Sequence, residues 1–499
     1  MLPPDPDTPP PEAAWDSLPA NHWREGEAAH LLRRIGFSAT PARLAEAARK
    51  GPRATLDAAF SEGVRFPAWP ELETFVREAP ERRKAARMTE DREERRRIRR
   101  ELRQRNRELF HDFALRWFRF AREPEHSARE KAVLFLQDVF VVEWEKVRDT
   151  PALRAHQQLM RDGLAMRLPE LCKAVSRSPA MVRYLDLEQS SLFKPNENFA
   201  RELFELFILG EGNYTEKDIK EAARAFTGYR VNRQGEFYFQ KQAHDDGLKT
   251  VFGETGHWTG DDVIDIAFRQ PAAKRFFVRE FLAYYLDASP VDERYVAELG
   301  ERWASGGFRV RWLIDTVFNS RLFYHPAFRG NSVKSPVHFY LGLCQDLQLD
   351  VMPFDGRLLR ALRAMGQRFF DPPNVRGWQY GVHWINATTV GARRQLVDHL
   401  FSPLRENNLN GDEQSELEAA REAGRATFVV TDDRLRGLLG EGPGDLAEHL
   451  LGHFIPAPCH ARYRPALERL ARDMDGPEDL DRLRGALVGL LQSPAYHLS

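Results

Sequence analysis

Apolar residues recur along most of this chain at intervals of three and four, the period of a helix with one buried face. Residues 27–48 follow that period except at Gly36-Phe37-Ser38-Ala39-Thr40-Pro41. The interruption predicts a helix stop and a new start, with Thr40 as N-cap and Pro41 at the first helical position. The same spacing returns at Ile219, Ala222, Ala223 and Phe226, and again at Phe276, Phe277, Phe281, Leu282 and Tyr285. Strand signals are scarce, and residues 235–240, with Phe237 and Phe239 on one side, predict half of a small hairpin. The expected fold is therefore all-α, a large multi-helix array with at most one short β-hairpin.

With 499 residues the chain exceeds the size at which one core usually stops growing. The Pro-rich residues 1–20 predict a disordered or extended lead-in, because proline removes donors and resists helix. Residues 21–400 are expected to form the helical core, starting near Trp23, and residues 401–499 a C-terminal helical subdomain packed on it. Residues 81–110 hold Arg and Lys in clear excess over Asp and Glu, with Ile98, Leu102 and Leu109 as a thin apolar stripe. They predict one long solvated helix.

Charge and cysteine content narrow the function classes. The 73 basic and 74 acidic side chains leave a net charge of -1, so no global field draws the protein to DNA or an anionic bilayer. Arg92 to Arg107 form a local basic run that could meet nucleic acid, and the interleaved acids argue against that partner. The three cysteines are few, odd in number and far apart, which speaks against a disulfide framework. No apolar run reaches the roughly 18 residues needed to span a bilayer. Residues 1–20 lack the regions of a signal peptide. The expected location is thus the cytoplasm, with export left open by a start codon placed too far downstream.

Three segments concentrate polar chemistry. In residues 195–207, helical spacing puts Glu197, Asn198, Arg201, Glu202 and Glu205 on one arc, with Glu197–Arg201 and Arg201–Glu205 pairs four residues apart. Gly210 ends that helix, and Thr215 to Asp218 read as a capping box for the next. The second segment runs His244-Asp245-Asp246-Gly247-Leu248-Lys249, in Gly-rich irregular backbone where binding residues often sit. His244 with Asp245 or Asp246 would suit iron, manganese or zinc, although the spacing is no metal signature and the aspartates serve equally as turn residues. The third segment, Phe370 to Trp378, holds Asp371 and Asn374 on a proline-stiffened loop beside Trp378. These residues are expected to wall one shared polar cleft. No nucleophile elbow, phosphate loop, zinc-protease helix or CxxC pair is present.

The same words, together with Ala29-His30-Leu31-Leu32-Arg33-Arg34-Ile35-Gly36-Phe37 and Lys334-Ser335-Pro336, resemble in matching order the motifs of the bacterial family known as domain of unknown function 1800. The resemblance runs from about Trp23 to the C-terminus. It implies a bacterial, essentially helical protein with no settled activity. It also implies an exported sulfatase-like partner, since members are often encoded beside such a family. One departure is specific: where members show Leu-Phe-Trp-His-x-His-Phe, this chain has Leu134-Phe135-Leu136-Gln137-Asp138-Val139-Phe140. Both histidine positions are lost, to Gln137 and Val139. Asp138 is then the one strong ligand type left there, and no metal is expected at these three residues.

The leading expectation is a binding or assembly protein with a polar cleft and a degenerate family site, without a cofactor. The alternative is a metal-assisted, hydrolase-like enzyme using Glu202 or Glu205 as general base, with His244 and Asp245 holding a metal or the substrate.

Overall fold

The computed structural model describes residues 8–61, 64–349, 357–401, 411–422, 430–438, 446–473 and 479–499. The first seven residues of the expected lead-in, and parts of the expected C-terminal subdomain, lie outside them.

The described part of the lead-in is ordered. Pro11 starts a short helix, α1 (Pro11–Ala14), and the next residue, Trp15, is buried with its indole N–H donating to Tyr295 O at 3.0 Å. The backbone beyond it pairs with residues 319–322, through Leu18 N to Asn319 O and Arg321 N to Asp16 O. Of the expected disordered or extended lead-in, residues 8–20 thus hold one short helix within an otherwise irregular or extended run that is fastened to the rest. The prolines keep the segment from propagating a helix, while one large apolar anchor fastens it.

Helices follow in the predicted rhythm: α2 (Glu25–Ile35), α3 (Pro41–Lys50) with Thr40 at its N-cap, and α4 (Pro52–Ala59). The charged stretch differs from expectation. It is two helices, α5 (Pro70–Met88) and α6 (Arg92–Arg122), because Asp91 accepts a hydrogen bond from Glu93 N and caps a fresh start. Ile98, Leu102 and Leu109 are buried, as their spacing requires.

Next come α7 (Ser127–Val139), α8 (Trp144–Val147), α9 (Thr150–Gly163), α10 (Leu168–Ser176) and α11 (Pro179–Tyr184). The segment α12 (Asn198–Glu202) runs directly into a π-helical stretch, Leu203–Ile208, before Gly210 ends it at φ +83°. Then α13 (Glu216–Ala225) begins with the expected Thr215–Asp218 capping box. Two antiparallel hairpins follow, β1 (Tyr229–Val231) with β2 (Phe237–Phe239), and β3 (Lys249–Val251) with β4 (Glu254–Gly256). The first is the predicted one. The second is an addition, made by three-residue strands too short to show a period of two.

The chain continues through α14 (Gly260–Phe268), α15 (Phe276–Tyr285), α16 (Glu293–Ser305), α17 (Val310–Asn319), α18 (Pro336–Asp346), α19 (Arg357–Met365) and α20 (Ala387–Phe401). The described C-terminal helices are α21 (Gly411–Glu422), α22 (Asp432–Gly437), α23 (Leu446–Phe454), α24 (His460–Asp473) and α25 (Leu480–Leu491). The protein is thus mostly all-α, with two very small sheets. No described helix is long and apolar enough to cross a membrane.

Buried charge stitches distant helices together. The Arg34 guanidinium, 1% exposed, donates to the carbonyls of Tyr285, Leu286, Phe328 and Ser499 and to Asn331 Oδ1, each within 2.7–2.8 Å. Lys131 Nζ donates to the Arg34 and Gly36 carbonyls at 2.7 and 3.0 Å, closing the C-terminus of α2. Glu130 pairs with Arg161 at 2.7 Å, both sealed from solvent, and also accepts from the Trp117 indole. Several of the words that carry the family resemblance therefore build the interior. A buried ion must be satisfied on all sides, which restricts which residues can surround it.

Candidate functional site

The first and third of the predicted polar segments meet through Glu205 and Arg376, and among the described residues no hydrogen bond or ion pair joins the His244 segment to them. On α12, Arg201 pairs with Glu197 at 3.3 Å and with Glu216 at 2.8 Å, while Asn198 is exposed. The expected Arg201–Glu205 pair does not form. From Phe204 onward the backbone bonds run to the fifth residue, with Leu209 N donating to Phe204 O, and the extra residue per turn rotates Glu205 away from Arg201. Glu205 instead accepts from the Tyr214 hydroxyl at 2.7 Å and from Arg376. Glu202 is half-buried, and burial followed by the nearby Glu205 charge raises its carboxyl above the usual range.

The His244 segment is held by its own partners. Asp245 takes the Arg224 guanidinium at 2.7 Å and the Gly247 N–H at 2.8 Å, and the Arg224 bond draws its carboxyl below the ordinary value. His244 is buried, with Nδ1 at 3.0 Å from Thr227 O, and Asp246 stands 3.7 Å from its other nitrogen. Lys249 is buried and donates to Gly247 O at 3.0 Å. Among the described residues no hydrogen bond or ion pair joins His244, Asp245, Asp246 or Lys249 to the α12 carboxylates. Asp245 is occupied by Arg224, which takes the oxygens a metal would need.

The Phe370–Trp378 loop divides two clefts. Asn374 acts as a turn residue, accepting from Arg376 N, and Asp371 pairs with Arg368. Trp378 and the residues after it wall a cleft of about 600 Å³ together with the end of α7, the π-helical stretch and α15. Its carboxyl groups are Asp138, Glu205, Glu211, Glu280 and Asp287, against the single guanidinium of Arg376. Of the predicted site residues, Glu205 and Trp378 meet here. Asp371 borders the other cleft, and the His244 segment lines neither.

Asp138 is the centre of this geometry. Its Oδ1 accepts the Trp378 N–H at 2.8 Å and its Oδ2 accepts the Tyr380 hydroxyl, so one carboxyl fixes the loop that walls the cleft. Gly377 passes so close, at φ +78°, that any β-carbon there would strike Asp138 Oδ1. Burial pushes the Asp138 carboxyl up from 3.8 to about 7, opposed by the Tyr380 and Trp378 bonds and assisted by Glu280. Glu280, half-buried on α15, is raised as well, first by burial. Among the described residues it accepts no hydrogen bond and forms no ion pair. Gln137 lines an adjoining, largely apolar cavity of about 50 Å³, and Val139 lines the main cleft. Gln137 and Val139 thus flank this site.

Sequence reasoning missed Asp138, Glu280, Tyr380 and Arg376 as site residues. A signal was available for the first, since the lost histidines bracket it. For Glu280, next to Arg279 on a mostly aromatic helix, the local pattern offered none.

One family model, described as protein of unknown function (DUF1800), matches residues 30–498, nearly the whole chain. No curated protein and no solved structure matches.

Proposed function

The chain belongs to the DUF1800 family, and from that premise we propose that it is a binding protein whose ligand enters the 600 Å³ cleft beside Trp378. The observation that carries this reading is Glu280, a half-buried carboxyl facing the cleft with no protein donor to satisfy it. Its oxygens open on the cleft without a protein donor, so a ligand entering there can donate to them without displacing a partner. The surplus of carboxyls and the Trp378 and Tyr380 rings suit a small ligand that offers hydroxyl or ammonium donors and an apolar face. Asp138 supports this by holding the loop rather than by touching the ligand, since both its oxygens are already engaged. The exported sulfatase-like partner that the family resemblance suggests would be a client of an assembly role, testable by co-purification.

A screen of polyols, amino sugars and small amines by thermal shift, followed by calorimetry on Glu280→Gln and Trp378→Ala, tests the reading. Ligands that lose at least about tenfold in affinity in both variants are expected, consistent with loss of one charge-assisted bond. Ligands whose affinity is indifferent to both changes would refute it.

A second reading rests on Asp138 alone. A carboxyl near 7 is matched to general acid or base work at neutral pH, with Glu280 beside it as the second group. It predicts hydrolysis with a pH profile that breaks near 7 and vanishes in Asp138→Asn.

A further inference from the structure

The residues Arg368–Asp371 border a second cleft, of about 590 Å³, enclosed by α6, the end of α8 and α19. Its charge is opposite to that of the first. Six guanidiniums line it, from Arg103, Arg107, Arg148, Arg360, Arg363 and Arg368, against the carboxylates of Glu145 and Asp371. Those two are spoken for, Glu145 by Arg148 at 3.3 Å and Asp371 by Arg368. The side chains of Arg103, Arg107, Arg360 and Arg363 make no hydrogen bond or ion pair with any described residue. Elsewhere on the same helix Arg97 pairs with Glu94 and Glu101, and Arg105 with Glu108. Of the basic run of α6, Arg103 and Arg107 are the two that border the cleft.

Four unpaired cations around one concavity repel one another, and low-dielectric walls focus their field on whatever enters. An aromatic floor supplies such walls. Phe110 is buried and stacks on Trp144, with centroids 4.1 Å apart and planes at 12°, and Phe369 lies beside them. Guanidiniums match phosphate oxygens two bonds at a time, so the site has the donors for several phosphate groups at once.

We propose that this cleft binds a compact anion carrying two or more phosphate groups. A free polyphosphate and the phosphate chain of a nucleotide share this chemistry. A concave site between three helices suits a compact anion better than a duplex, which needs a long exposed basic face.

The test is isothermal titration of the full chain with sodium tripolyphosphate, with adenosine triphosphate and with orthophosphate, at low and at physiological ionic strength. Variants are the double change Arg107→Gln with Arg363→Gln, both exposed and without internal partners, and Arg105→Gln as a control outside the cleft. Circular dichroism establishes that each variant is folded. Saturable one-to-one binding of tripolyphosphate is expected, weakened at least about tenfold in the double variant and unchanged in the control. Equal binding of the nucleotide places recognition in the phosphate chain, and tighter binding with quenching of tryptophan fluorescence adds a contact at Trp144. The absence of saturable binding overturns the proposal, as does equal weakening by Arg105→Gln. Tighter binding of a single-stranded oligonucleotide than of tripolyphosphate would also overturn it, in favour of nucleic acid.

Discussion

Replacing Asp138 by asparagine isolates the energetic consequence of burying a carboxyl at the cleft. The amide oxygen still accepts from Trp378 N–H, so the loop keeps one of its two fastenings. The native carboxyl titrates near 7, whereas the ordinary value is 3.8. Between those values the folded chain holds a proton that the unfolded chain has released, so stability falls as pH rises from about 4 to about 7 and levels off above. A shift of roughly three units at about 1.36 kcal/mol each amounts to about 4 kcal/mol, of which about 2–3 kcal/mol is expressed between pH 5 and pH 8. For a chain this long the unfolding entropy is on the order of 1 kcal/mol/K, which converts that loss to about 2–3 °C. The assay is thermal unfolding of both proteins across that range. The wild-type melting temperature minus that of Asp138→Asn is expected to drop by this amount from pH 5 to pH 8. A difference that stays flat would refute the buried-carboxyl argument, because every other titrating group is common to the two proteins.

Gly377→Ala is expected to cost about 2–4 kcal/mol, since a β-carbon at φ +78° is strained and strikes Asp138, and Trp378 emission should shift with the displaced loop. Glu130→Gln leaves Arg161 charged and sealed from water, for which about 3–5 kcal/mol of lost stability is expected in thermal or urea unfolding. Trp15→Ala removes the anchor of the N-terminal segment, and limited proteolysis should then cut within residues 8–20 well before the core, with about 3–5 kcal/mol lost.

The parts of the fold that could be read from the sequence are those whose cause is local. The break between α2 and α3 is written in Gly36 and in Thr40-Pro41, and the α13 start in Thr215 and Asp218. The break between α5 and α6 has a local cause too, Asp91, but one cap among so many charges carries little contrast. The π-helical stretch has no compositional mark at all, because Leu203-Phe204-Glu205-Leu206-Phe207-Ile208 would serve an α-helix as well. Its cost to the reading was the wrong partner for Glu205. A single shared cleft was expected because each polar word supplied groups in need of a partner, yet only Glu205 and Trp378 line one cleft together, while the His244 segment is tied to Arg224 and Thr227. The cleft that does form depends on Asp138 reaching residues 378 and 380, some 240 positions away. Pairings at that separation leave no periodicity. The departure expected at Gln137 and Val139 falls on a segment that borders this cleft.

The five bonds made by Arg34 have a consequence for how the molecule is made. Its acceptors lie from 251 to 465 residues further along the chain. While a ribosome is still extending the polypeptide, α2 can form, but its guanidinium has no interior to enter until those carbonyls emerge. The helix can pack on α3 and α7 as these are made, but the Arg34 guanidinium reaches its full set of partners late. The full set of five bonds can close only once Tyr285, Phe328 and Ser499 have all been made.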